Sequence, residues 1–170
     1  MTGSPLEIVT QSSAETFSIG QALAGCLRDG DVVLLHGDLG AGKTTLAKGI
    51  AAALGVEDVV SSPSFSLVNE YDTRLGAAVT RLYHLDLYRL RGEDDLASIG
   101  FDDFMAPVEG ITLVEWPERA STALPERFLL VEIETLGSGS RRLRFLSVPD
   151  DEVSGRRIES LRSHIGSNAD

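Results

Sequence analysis

The octet Gly37-Asp38-Leu39-Gly40-Ala41-Gly42-Lys43-Thr44 constrains this chain more than any other segment. Glycines let the backbone wrap until successive amides point inward, and a helix starting at the end of the octet aims its positive end at the same spot. Such a loop binds phosphate. Lys43 supplies a point charge for the β and γ phosphates of a nucleotide, and the Thr44 hydroxyl is placed to ligate Mg²⁺. From average amino-acid usage an octet of this kind arises by chance in roughly one chain in a hundred of this length. Its flanks are those the motif requires. Val32 to His36 is an apolar run bounded by turn residues, read as a strand buried on both faces. Thr44 to Leu54 suits a helix closed by Gly55. The expected nucleotide contacts are Asp38, Leu39, Gly40, Ala41, Gly42, Lys43, Thr44 and Thr45.

Around this centre the pattern alternates between strands and helices. Leu6 to Thr10 reads as a short strand, and Ser12 with Glu15 as a capping box opening a helix to about Arg28. Phe65 to Tyr71 and Ala77 to Leu85 look extended on either side of Arg74-Leu75-Gly76, which predicts a hairpin. Residues 92–100 read as a short helix with its acids at the N-terminal end, and Ile111 to Glu115 as another buried strand. Phe128 to Thr135 and Arg141 to Val148 make a second hairpin around Gly137 to Ser140. One nucleotide-binding domain is expected over residues 1–150, with 151–170 forming a short C-terminal helix and a frayed tail.

Composition excludes several classes. In 170 residues there is one cysteine, Cys26, so no disulfide scaffold exists. The longest apolar runs are about five residues against the roughly 20 needed to cross a bilayer. The N-terminus has no basic residue ahead of an apolar stretch, so no secretory signal is read there and a soluble, cytoplasmic protein is expected. The net charge is −11, and the acidic excess lies in residues 1–135. Unaided nucleic-acid binding needs surplus Lys and Arg, so direct binding to RNA or DNA is not expected.

The guanine reader of phosphate-loop GTPases, Asn-Lys-x-Asp, is absent, since neither Lys43 nor Lys48 sits in such a tetrad. ATP is the default. Ser12, at the start of the first helix, is a candidate for the edge of the adenine pocket. A second acid should end a buried strand and face the loop to position Mg²⁺ or its waters. Glu115 and Asp86 both qualify. Glu115 is favoured as a metal ligand because four apolar residues precede it and Trp116-Pro117 stop the strand; Asp86 stands between Leu85 and Leu87, where a charge needs a partner, with Arg89 as an alternative to the metal. His84 and His36 read as packing residues of the strands. Trp116 reads as packing on general grounds, although its position beside Glu115 argues for the site.

Four segments together resemble one family: Gly37 to Thr45, Ser62-Pro63-Ser64-Phe65-Ser66-Leu67-Val68, His84-Leu85-Asp86-Leu87-Tyr88-Arg89-Leu90, and Val114-Glu115-Trp116-Pro117. In order and spacing they are similar to the bacterial TsaE (YjeE) family. The first is generic to many NTPases, and the others are specific in combination. The resemblance implies an α/β P-loop NTPase with a mostly parallel sheet, antiparallel strands at its margins and helices on both faces. It also implies a Mg²⁺-dependent ATPase working with TsaB and TsaD to make the threonylcarbamoyl-adenosine modification next to the anticodon, touching tRNA only through the complex. Carried over, Lys43 and Thr44 contact phosphate and Mg²⁺, Glu115 is the strand-end acid, and Asp86 acts in hydrolysis or metal positioning. Ser64 stands where the family usually has threonine. Two other readings of the same loop are a small-molecule kinase, with Arg89 and Arg91 clamping the acceptor, and a nucleotide-gated binding module. Hydrolysis is expected to be weak alone and stimulated by partners, because the segment Ser62 to Val68 must be ordered to complete the site.

Overall fold

The computed structural model describes residues 4–63, 67–74 and 78–167. The elements in chain order are β1 (Leu6–Thr10), α1 (Ser13–Ala24), β2 (Val32–His36), α2 (Lys43–Ala53), β3 (Val68–Asp72), β4 (Arg81–Asp86), α3 (Glu93–Ser98) and α4 (Phe101–Phe104). They continue with β5 (Ile111–Glu115), a 3₁₀ turn (Pro117–Ala120), β6 (Phe128–Gly137), β7 (Ser140–Val148) and α5 (Glu152–Ser167). The strands form one seven-stranded sheet in the order β1-β7-β6-β2-β5-β4-β3. Its centre, β6-β2-β5-β4, is parallel, while β3, β7 and β1 join antiparallel at the two margins. This is the mixed sheet the resemblance implies.

The apolar runs explain the centre. Along β2, Val33 and Leu35 point into the core shared with α1, α2 and α5, and Val32 and Leu34 point into a second core with Leu96, Phe101 and Met105. β5 repeats the division, with Ile111 and Leu113 on one side and Val114 on the other. Strands covered on both faces need no polar alternation, and their parallel pairing requires the crossovers that the helices provide.

Several boundaries differ from the sequence reading. α1 stops at Ala24 rather than near Arg28, because Gly25 caps it and tight turns carry the chain on to Leu27. β4 begins at Arg81 rather than Ala77, and the turn residues Leu75 to Ala77 lie outside the described residues. The C-terminal helix is not short: α5 runs for 16 residues. Ile158 and Leu161 are buried in the main core, and the Arg157 guanidinium pairs with Asp31. Among the described residues no helix is long and apolar enough to cross a membrane.

α1 and α2 meet backbone to backbone. A Cβ on Gly20 would lie 2.3 Å from the Leu46 carbonyl oxygen, and one on Gly49 would lie 2.1 Å from that of Phe17. No side chain fits there.

Candidate functional site

The carboxyl ends of β2, β5 and β4 lie side by side, which is where open parallel sheets place their ligands. The loop after β2 is the octet. Gly37 runs so close to β6 that a Cβ on it would stand 2.5 Å from the Ile133 carbonyl oxygen. Gly42 has φ 114°, a left-handed conformation open to glycine, and its carbonyl accepts the first bond of α2 from Leu46 N at 2.9 Å. Asp38, Leu39 and Gly40 form an exposed tip, Ala41 is buried, and Thr45 is half-buried in the first turn of α2.

Lys43 is buried, and its ammonium donates to the Gly37 carbonyl and to the Asp38 carbonyl at 2.9 Å. The same nitrogen stands 4.0 Å from the centre of the Trp116 ring. Burial pushes the Lys43 pKa down, against the opposing pull of Glu115 and other nearby acids. Trp116 has φ 60°, an outlier for a bulky residue, and its ring packs on Tyr88 with centroids 4.9 Å apart.

Glu115 is buried at the end of β5. Its Oε1 accepts from Thr44 Oγ1 at 2.9 Å and pairs with His84 Nε2 at the same distance, while Ser62 Oγ lies 2.9 Å from Thr44 Oγ1. Asp86 stands directly across from Glu115 in the β4–β5 ladder. Its Oδ1 accepts from Tyr88 N at 3.0 Å. Burial raises the Asp86 pKa, and the neighbouring Glu115 adds to the rise, while Tyr88 N–H, His84 and Ser62 oppose it. The two acids that the sequence offered as alternatives therefore share one site.

Among the described residues no group of three or more His, Cys, Asp or Glu could hold a metal ion. The side-chain oxygens beside the loop that suit a nucleotide-borne Mg²⁺ are the Thr44 hydroxyl and the Glu115 carboxylate, 2.9 Å apart.

A model of the family "Threonylcarbamoyl adenosine biosynthesis protein TsaE" matches residues 10–143. The chain belongs to the TsaE family. A relative from Bacillus subtilis, the "tRNA threonylcarbamoyladenosine biosynthesis protein TsaE", is 38% identical over 89% of this chain and 88% of its own. The protein of that name from Aquifex aeolicus is 39% identical over 81% and 93%. The crystal structure of Bacillus subtilis YdiB superposes with a TM-score of 0.73 at 31% identity, covering 98% of this chain and 97% of that one. The fold is that of a P-loop NTPase.

Within this TsaE-family site, Lys43, Thr44, Asp86, Glu115 and Trp116 converge, and Ser12 caps α1. Its hydroxyl accepts from Glu15 N at 3.1 Å, and the Glu15 carboxylate accepts from N of Gln11, the residue before Ser12, at 2.6 Å. Its link to the loop runs through Thr16, one turn on, whose Cγ2 would lie 3.7 Å from a Cβ on Gly42. Ser64 lies outside the described residues. The sequence did not point to Arg141, and it showed His84 only as strand packing. Arg141, at the start of β7, donates from Nε to the Ala41 carbonyl at 2.7 Å and from Nη2 to that of Gly40 at 3.4 Å, bracing the loop from outside. His84 reaches Glu115 from the next strand. Neither contact leaves a mark in linear spacing, because each depends on the order of strands in the sheet.

Proposed function

We propose that this TsaE-family chain is a Mg²⁺-dependent ATPase that serves tRNA threonylcarbamoyladenosine biosynthesis in the cytoplasm, acting with TsaB and TsaD. The observation that carries this reading is the 2.9 Å bond from the Thr44 hydroxyl to Glu115. A threonine that gives its proton to a strand-end carboxylate has only lone pairs left to offer; Ser62 donates to one of them, and the other is what a phosphate-bound cation needs. Loop amides and the N-terminus of α2 cradle the phosphates, and the Lys43 ammonium exchanges its carbonyl partners for phosphate oxygens. When bound, Mg²⁺ neutralises charge on the β and γ phosphates. Thr44 and Glu115 are the residues that would hold it. Asp86, fixed by Tyr88 N–H, orients the water that attacks the γ phosphate, giving ADP and inorganic phosphate. With a net charge of −11 the chain leaves the tRNA to its partners.

The test is phosphate release with and without Mg²⁺, TsaB and TsaD. Release that needs Mg²⁺ and rises on adding the partners supports the reading, and release indifferent to both overturns it. One observation keeps a kinase in play: a cavity of about 610 Å³ opens beside Asp86, lined by Arg89 and Arg91. Asp95, Glu93 and Asp94 crowd the same stretch and repel a phosphorylated acceptor. ³¹P NMR with candidate metabolites separates the two, since a kinase yields a phosphorylated product in place of inorganic phosphate. In a nucleotide-gated module, Asp86→Ala would bind ATP, fail to hydrolyse it and still support modification.

A further inference from the structure

His84 lies at the middle of β4, in the ladder between Asn69 of β3 and Leu113 of β5, with no exposed surface. Leu85, next to it on the strand, and Leu82, two residues before it, are fully buried apolar side chains, and Tyr83 is partly buried. A histidine in such a place needs a reason, because each buried polar atom without a partner costs about 1–3 kcal/mol. Its Nε2 lies 2.9 Å from Glu115 Oε1. A carboxylate only accepts, so the ring is the donor and carries its proton on Nε2. Nδ1 is left buried with no hydrogen-bond partner among the described residues. One ring nitrogen is thus given up, and the other is committed to Glu115.

Glu115 Oε1 therefore receives two bonds at 2.9 Å, one from His84 and one from Thr44. Oε2 takes none from the described residues. Two donors on one oxygen stop the carboxylate from turning, and they separate its two oxygens by role.

We propose that His84 is a positioning residue for the metal half of the site: it pins Glu115 so that Oε1 always receives the Thr44 proton and Oε2 stays available to Mg²⁺ or its water. This rests on the Mg²⁺-nucleotide reading given above. Nucleotide without the cation depends on the loop amides and Lys43, which His84 does not touch. Losing the His84 bond should then weaken binding only when Mg²⁺ is present.

The experiment is calorimetric titration of the full chain with ADP, in Mg²⁺ and in EDTA, for wild type, His84→Leu, His84→Asn and His84→Gln. A glutamine amide N–H reaches about as far as Nε2, whereas an asparagine amide stops near Nδ1. Outer-shell partners of metal ligands typically alter metal affinity by about 10–100-fold. The expected result is that His84→Leu and His84→Asn lose about tenfold or more of the affinity gained from Mg²⁺, with EDTA affinities within about twofold of wild type. His84→Gln should keep most of the gain. If His84→Leu does not fold, the Gln and Asn variants decide between them, and an equal Mg²⁺ gain in both overturns the proposal. Equal losses in Mg²⁺ and EDTA also overturn it, because they mark general damage. A wild type with no Mg²⁺ gain would instead sink the metal reading itself, and this inference with it.

Discussion

Asp86, at the end of β4, and Asp151, just ahead of α5, each accept a backbone N–H through the side chain, from Tyr88 at 3.0 Å and from Ser154 at 2.9 Å. Their surroundings push them in opposite directions. At Asp151 the Arg127 guanidinium, 2.6 Å away, together with the Ser154 N–H holds the carboxyl down at about 2. At Asp86 burial raises the pKa, and Glu115 across the ladder reinforces it. The base of α5 pairs its charge and leaves it in water. The carboxyl end of the sheet does the reverse, setting two acids side by side while the nearest ammonium turns to loop carbonyls. A region arranged only for anchoring would not leave charge in that state, and perturbed acids in a cleft are a mark of function.

The largest expected contrast between the two regions is in ligand binding. Lys43→Ala should weaken ADP binding by about 10–100-fold, from the loss of charge-assisted bonds worth about 1.5–3 kcal/mol. Asp151→Ala should leave that affinity within about twofold, as read by calorimetry; similar losses in both would break the comparison. Next, Glu115→Gln should cut phosphate release in the presence of TsaB and TsaD by about 10–100-fold, with little change in ADP affinity measured in EDTA.

Thermal melts across pH sharpen the comparison further. Because the folded pKa of Asp86 is raised, the native state holds its proton more tightly than the unfolded chain does. This acid lowers stability above its folded pKa, and the penalty disappears as pH falls below the ordinary value of 3.8. Asp86→Asn should therefore raise Tm at neutral pH, with the gain fading towards pH 3.8. Asp151 is the opposite case. Its depressed pKa adds stability above 3.8 that is lost as pH falls through about 2, so Asp151→Ala should lower Tm at neutral pH and the deficit should narrow over that acid range. Parallel pH courses for the two variants would contradict the contrast. The smallest effect is expected on the outer face of the sheet. There Arg144 pairs with Glu132 at 2.8 Å, both ends partly in water. Arg144→Ala should shift stability by no more than about 1 kcal/mol in denaturant melts.

What the sequence revealed follows the range of the interactions. The octet, the apolar runs of β2 and β5 and the Ser12–Glu15 box are local patterns, and each appears where its spacing puts it. Ser12 could be read both as a cap and as a pocket edge, and its hydroxyl is engaged as the cap. The length of α5 was readable in part, since Ile158, Leu161 and Ile165 recur at helical spacing, but the polar residues between them hide it. Arg141 was invisible, because its reach to the loop depends on β7 lying between β1 and β6. His84 was legible only as strand packing, because its bond to Glu115 depends on β4 being the parallel neighbour of β5. Both residues act across strands far apart in sequence, where spacing along the chain carries no information.

Gly20 and Gly49 remove the cushion of side chains that ordinarily lets two helices slide past each other. Backbones seated this closely leave no side chain between them to compress. In such a joint a methyl group is already a wedge, so Gly20 and Gly49 have no room for replacement, whereas Gly155 and Gly166 of α5 face open space.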